Sequence, residues 1–455
     1  MTAGEFGYVT PENLPIFTDL YELTMLQGYY RADHNPRATF DLFIRDLPPG
    51  RGYLIAAGLE QAVHYIESLT FGDRTLDYLA KQGFGDDFLA ALADFTFSGD
   101  VRAIPEGRAV FHDEPLIEVT APIMEAQLLE TLLINQISFQ TLIATKAARM
   151  RDVVERAGSG QSLVDFGSRR AHGTDAGMKA ARAAVIGGFD GTSNVAAGEA
   201  FDIETFGTMA HSWIQSFPTE RAAYEAFVEV YGEDSILLVD TYDTLAGARL
   251  AMDVATERDL DIRGVRLDSG DLAALSKEVA PIVGEDSVFV SSGVDEYFLR
   301  EFFEAGGIAT GFGPGTSLTT SADAPKIEGV YKLVSVADDT GSLQPSMKLS
   351  AGKVTYPGQK RVTRESDGET YRRDLLGTAE ESLPGEDLLV DVIRDGELVY
   401  DLPDLTAIQE RTLAELERIP EPVRAIDEPT TYPVDVSDGL QGLADRVEAE
   451  LEAGR

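Results

Sequence analysis

The sequence predicts an α/β protein built on an irregular TIM-like α/β barrel, with a second domain or edge layer beside it. The main observation is a rhythm of short apolar runs: LVDFG at 163–167, GFDGTS at 188–193, FGTMAH at 206–211, ILLVD at 236–240, GVRLD at 264–268, VFVSSG at 288–293 and TGFG at 310–313. Each ends in a small or polar cluster and most precede a helical pattern, which is the grammar of a parallel sheet. Seven such units suggest a closed or nearly closed barrel. The second observation is length, since 455 residues exceed one typical core.

The elements follow in order. Asn13 to Tyr30 reads as a helix with Leu20, Leu23, Met25 and Leu26 near its middle, ATFDLFIR at 38–45 alternates like a strand, and 58–66 reads as a helix. Short strands broken by Pro105, Gly107 and Pro115 fill 101–119. Pro122 opens a long helical stretch that places Leu128, Leu129, Leu132, Leu133 and Ile137 at spacings suited to a buried face. After Tyr331 the chain turns polar, Gly-rich and strand-like, then ends in acidic helices over 406–418 and 440–451. The expected division is 1–125, a barrel over 126–330, and a returning C-terminal segment over 331–455.

Composition narrows the function. With 78 Asp+Glu against 38 Lys+Arg the formal net charge is −40, which argues against non-specific nucleic-acid binding. It leaves anionic small substrates open, because local arginines can reverse the sign of a pocket. The absence of Cys removes disulfides, thiolate metal sites and Cys nucleophiles. No apolar stretch reaches the roughly 20 residues that span a bilayer, and the start MTAGE lacks the order of a secretory signal, so a cytoplasmic protein is expected. Acid excess with scarce Lys suggests a surface built for high salt, as in a halophile.

The chemistry-bearing residues sit at strand ends, where barrel enzymes carry their sites. Phe166 with Arg169 and Arg170 offers an apolar face and guanidinium forks for a flat anion, unless Phe166 is core and the arginines are a solvated helix start. His211 is a competent phosphoryl acceptor or general base, although a lone His is more often structural. Asp240 and Asp268 directly follow apolar runs and can orient a His, stabilise developing positive charge, or contact ribose and magnesium. Asp243 and Asp271 read as helix N-caps. The run GFGPGTS at 311–317 lets backbone N–H groups approach a phosphate. Five of the nine lysines, at 326, 332, 348, 353 and 360, follow that loop and read either as a cationic wall for phosphates or as ordinary surface lysines.

Taken together and in this order, the motifs TDLYELTM at 18–25, FGSRRA at 166–171, GFDGTSNV at 188–195, GTMAHS at 207–212, RLDSGD at 266–271 and GPGTS at 313–317 resemble the nicotinate phosphoribosyltransferase family. The resemblance covers most of the chain. It implies a barrel-like domain plus an α/β sandwich domain built from N-terminal and C-terminal segments, in a homodimer with active sites near the subunit interface. The implied reaction, part of NAD salvage, joins nicotinate to phosphoribosyl pyrophosphate with ATP as co-substrate and Mg²⁺ accompanying the pyrophosphate near Asp240 and Asp268 rather than in a protein cage.

The resemblance also implies residue roles. Tyr21 and Phe166 would sandwich the pyridine, one of them from the partner subunit. Arg266 would pair with the carboxylate, Thr208 would hold the ring and Arg169 would lie near substrate. His211 would be phosphorylated by ATP and oriented by Asp240, since Ala210 precedes it and offers no carboxylate. Asp268 would sit by the ribose, with Ser292, Gly293, Gly315 and Thr316 on the 5′-phosphate and Lys348 and Lys360 on phosphates. Ser193 stands where the related nicotinamide enzyme carries an acid, and an acid there would repel a carboxylate. Nicotinamide transfer is thus the nearest rival. Quinolinate transfer implies a shorter chain, and an aldolase-like barrel wants a strand-end Lys that the first six runs lack. A scaffold without catalysis fits poorly with His211, Asp240 and Asp268 together.

Overall fold

The computed structural model describes residues 7–158, 160–349 and 355–453. The chain forms two compact units. One comprises Leu142–Pro325 and Leu405–Leu416, and the other the chain up to Thr141 together with Lys326–Asp404 and the chain from Glu417 onward. These bounds differ from a division at 126 and 330. The helix Glu130–Ala157 runs uninterrupted through the first boundary. The segment 405–416 joins the parallel-sheet unit, where the Gln409 amide donates to the carbonyls of Val185 and Phe189.

The Leu142–Pro325 unit holds a parallel sheet of six strands: β1 (Ser162–Asp165), β2 (Gly191–Thr192), β3 (Ile236–Leu238), β4 (Gly264–Leu267), β5 (Val288–Ser291) and β6 (Gly311–Gly313). Their spatial order is β2-β1-β6-β5-β4-β3. The last strand pairs with the first, Gly311 beside Ser162 and Phe312 beside Leu163. The order is therefore the chain order wrapped on itself, as in a barrel. The ring does not close by backbone pairing among the described residues, because β2 and β3 form edges. The expected seventh strand at 206–211 is absent; only Thr205 bridges Thr192, and the chain then runs without strand pairing to His211. The gap in the ring is thus occupied by the segment that carries the histidine.

Strands buried on both faces read as continuous apolar runs rather than alternating ones, and Leu237, Leu238, Val265, Leu267, Val288 and Val290 are accordingly buried. Side-chain caps start the following helices: Asp243 accepts from the Ala246 amide, Asp271 from Ala274 and Asp295 from Phe298. Asp243 and Asp271 are therefore caps, as their sequence context indicates, whereas Asp240 and Asp268 cap nothing.

The other unit interleaves both ends of the chain. Arg37–Ile44 pairs antiparallel with Gly329–Ala337 on one side and with Pro115–Pro122 on the other, in a seven-stranded sheet. A four-stranded sheet joins Lys360–Ser366, Tyr371–Thr378, Glu386–Asp387 and Val434–Val436. Its core gathers Leu23, Leu26, Phe40, Leu42, Leu132, Leu133 and Ile137 with Tyr331, Val362 and Leu440 from the C-terminal segments. No helix among the described residues is long and apolar enough to cross a membrane.

Candidate active site

The C-terminal ends of five of the six strands, with the 207–211 segment, line a cavity of about 680 Å³. Strand β1 delivers Phe166, Arg169 and Arg170, β2 delivers Ser193, β4 carries Arg266 and delivers Asp268, and β5 delivers Ser291, Ser292 and Gly293. Past β6 come Gly315, Thr316 and Ser317, while Thr208 and His211 arrive from the unpaired segment. All belong to the parallel-sheet unit.

Arg266 organises the unpaired segment. Its Nη1 donates to Thr208 Oγ1 at 3.0 Å and its Nη2 to the Met209 carbonyl at 2.9 Å. The buried Nε has no hydrogen-bond partner among the described residues. Burial pulls the guanidinium below its ordinary pKa, Asp268 and Asp240 push it back up, and Arg169 opposes them. A guanidinium held by two bonds, with donors to spare, is prepared for a planar anion.

His211 lies where the carboxylates converge. Its Nδ1 is 3.1 Å from Thr241 Oγ1, and its Nε2 is 3.8 Å from Asp240 Oδ1 and 3.7 Å from Asp268 Oδ2. The Thr241 hydroxyl is the group in hydrogen-bond contact with the ring, and Asp240 keeps Oδ1 within ion-pair range of Nε2 while its Oδ2 accepts from the Asp268 amide at 3.1 Å and from the Ser269 hydroxyl. Asp240 thereby sets the turn that presents Asp268. Ser291 Oγ donates to Asp268 Oδ1, which leaves Oδ2 facing the imidazole.

A second cluster positions Phe166. The buried Asp165 accepts the Gly167 amide at 2.7 Å and the Thr192 hydroxyl at 2.8 Å. Burial pushes its carboxyl above the usual range against those two bonds. The Phe166 amide donates to the Pro314 carbonyl, and a Cβ on Gly313 would lie 2.4 Å from the Phe166 ring. Glycine at 313 is therefore what lets the ring lie against β6. Ser292 is held at φ +79 and Gly293 at φ +68, so β5 ends in a turn that carries backbone strain at the non-glycine position.

Of the residues expected from sequence, Phe166, Arg169, Ser193, Thr208, His211, Arg266, Asp268, Ser292, Gly293, Gly315 and Thr316 line this cavity, with Asp240 beneath it. Tyr21 lies in the other unit on the helix Leu20–Arg31, with 46% of its surface exposed. Lys348 is an exposed residue of that unit too.

Lys360 does not belong to a phosphate wall. It is buried, with Nζ 2.6 Å from Asp41 Oδ2, so a carboxylate already holds its charge. Lys326 pairs with Glu328, Lys332 stands opposite Asp41 in the sheet, and Lys353 lies outside the described residues. Sequence reasoning passed over Thr241, Ser269 and Ser291, although the first two directly follow Asp240 and Asp268 and the third precedes Ser292.

Comparison with known proteins adds an independent finding. Residues 16–138 match the nicotinate phosphoribosyltransferase N-terminal domain, 161–343 the nicotinate phosphoribosyltransferase family, and 361–444 its C-terminal domain. A nicotinate phosphoribosyltransferase of Mycobacterium tuberculosis is 43% identical over 94% of this chain and 92% of its own. One from Bacillus subtilis is 36% identical over 98% and 99%. The crystal structure of human nicotinic acid phosphoribosyltransferase superposes with a TM-score of 0.84 at 29% identity, covering 94% of this chain and 99% of that one.

Proposed function

The chain is a member of the nicotinate phosphoribosyltransferase family, and from that premise we propose that it transfers the phosphoribosyl group of phosphoribosyl pyrophosphate to nicotinate for NAD synthesis in the cytoplasm. The pyridine nitrogen supplies the electron pair for the new bond to C1′, the bond from C1′ to the pyrophosphate oxygen breaks, and pyrophosphate leaves with that pair. The observation that carries the reading is the convergence of Phe166, Thr208 and Arg266 with Asp268 and the 292–293 and 315–316 loops on one cavity.

Within this reading the nicotinate ring rests on Phe166 and its carboxylate meets the Arg266 guanidinium at the cavity wall. Ser193, uncharged at the cavity wall, accepts a carboxylate where an acid would repel it. Asp268 faces the ribose and stabilises the positive charge that builds as pyrophosphate departs. Tyr21, exposed on its helix, closes the pyridine site of a second copy in a homodimer. Asp240 Oδ1 is buried without a hydrogen-bond partner among the described residues, and Asp268 Oδ2 accepts no hydrogen bond among them. Asp268, with Asp240 beside it, would hold Mg²⁺ that accompanies the pyrophosphate. When bound, the ion offsets the charge of the pyrophosphate.

The reading includes ATP coupling through His211. In the tautomer whose Nδ1–H donates to Thr241, the lone pair lies on Nε2. Nε2 attacks the γ-phosphorus of ATP, the bond to the ADP oxygen breaks, and water later hydrolyses the phosphohistidine to phosphate. Replacing His211 by Ala should abolish ATP stimulation of mononucleotide formation and leave slow ATP-independent transfer. Full stimulation in His211→Ala contradicts the role, and no mononucleotide from the unaltered enzyme contradicts the reaction.

A further inference from the structure

A buried charge cluster lies apart from the residues that line the cavity. Lys146, on the helix Glu130–Ala157, places Nζ 2.5 Å from Glu296 Oε2 and 2.6 Å from Asp323 Oδ1. Arg149, one turn further along the same helix, donates from Nε to Glu296 Oε1 at 2.8 Å. Lys146, Arg149 and Glu296 are each no more than 1% exposed as side chains. Two cations and two carboxylates balance, which is the condition under which such charges tolerate burial.

The position of the two acids is what matters. Glu296 opens the helix Glu296–Glu304, directly after the loop that presents Ser292 and Gly293 to the cavity. Asp323 follows the short helix Thr316–Thr319, which begins at the other loop of the cavity wall, Gly315–Thr316. Lys146 therefore ties the two loops to one point on a rigid helix. A plain stabilising pair needs one partner; here one ammonium bridges two acids, each placed just past a different loop of the cavity wall.

We propose that Lys146 is a positioning residue that sets the spacing of the 292–293 and 315–316 loops, and so the affinity for the 5′-phosphate of phosphoribosyl pyrophosphate. This rests on the assignment of those loops to phosphate in the proposed function. Removing the bridge lets the loops separate without touching any group that lines the cavity, and a misplacement of about 1 Å can cost on the order of a hundredfold where geometry is demanding.

The test compares the unaltered enzyme with Lys146→Met and Asp323→Asn, using calorimetric binding of phosphoribosyl pyrophosphate without nicotinate, steady-state kinetics and thermal melting. Both variants should raise Kd and KM for phosphoribosyl pyrophosphate roughly tenfold or more, with kcat and the KM for nicotinate within about twofold. The double variant should bind phosphoribosyl pyrophosphate no more weakly than Lys146→Met alone, because that substitution already removes the Asp323 contact. A folded variant with unchanged Kd for phosphoribosyl pyrophosphate overturns the proposal, even if its melting temperature falls. If Lys146→Met does not fold, Asp323→Asn decides, since Asp323 is partly exposed and leaves the Lys146–Glu296 pair in place. If the unaltered enzyme binds phosphoribosyl pyrophosphate but makes no product, the proposed reaction fails and the Kd comparison still decides this one. If it does not bind phosphoribosyl pyrophosphate, both fall.

Discussion

At the scale of single residues the site depends on groups whose bonds are fixed before substrate arrives. Arg266 is the clearest: two of its nitrogens hold Thr208 and the Met209 carbonyl, and the same guanidinium is the proposed carboxylate partner. Lysine at this position keeps the charge and loses the fork, so it cannot hold the segment and the substrate together. Arg266→Lys should raise the KM for nicotinate by roughly tenfold or more, corresponding to a loss of about 1–3 kcal/mol for hydrogen bonds left unmade in a buried setting. An unchanged KM for nicotinate would mean that Arg266 serves only to hold the Thr208 hydroxyl and the Met209 carbonyl. His211 shows the same economy, with one nitrogen against Thr241 and the other open toward two carboxylates.

At the scale of elements, the close approach of β1 and β6 sets the depth of the ring site. The methyl that Gly313→Ala adds would meet the Phe166 ring at 2.4 Å, and that ring is anchored through its own amide to Pro314, so the ring rather than the strand has to move. Gly313→Ala should therefore raise the KM for nicotinate several-fold while leaving the KM for phosphoribosyl pyrophosphate unchanged; equal effects on both would point to a distorted strand instead. The strands themselves were legible because parallel strands buried on both faces appear as unbroken apolar runs with polar ends. The segment 206–211, FGTMAH, lacks the Val, Ile and Leu that fill the runs at 236–240, 264–268 and 288–293, and Arg266 takes its Met209 carbonyl, so no strand forms there. Lys360 failed for a related reason, since its partner Asp41 lies on a strand from the opposite end of the chain. Pairings of that kind are set by topology, and local spacing carries no trace of them. The caps at Asp243 and Asp271 were readable because a cap is defined by residues only a few positions away.

At the scale of the whole molecule, a formal charge of −40 over 455 residues makes self-repulsion a standing term in the stability. Added salt shortens the Debye length from about 10 Å at 0.1 M to about 3 Å at 1 M. The melting temperature should therefore rise with KCl across that range, and a flat or falling curve would contradict a surface suited to high salt. The central claim concerns the pyridine that the cavity accepts. Its most direct test follows mononucleotide formation from phosphoribosyl pyrophosphate with Mg²⁺ in high KCl, offering nicotinate or nicotinamide, each with and without ATP. Product from nicotinate, enhanced by ATP, with little from nicotinamide, is the expected result. Product from nicotinamide alone would contradict the roles given to Arg266 and Ser193.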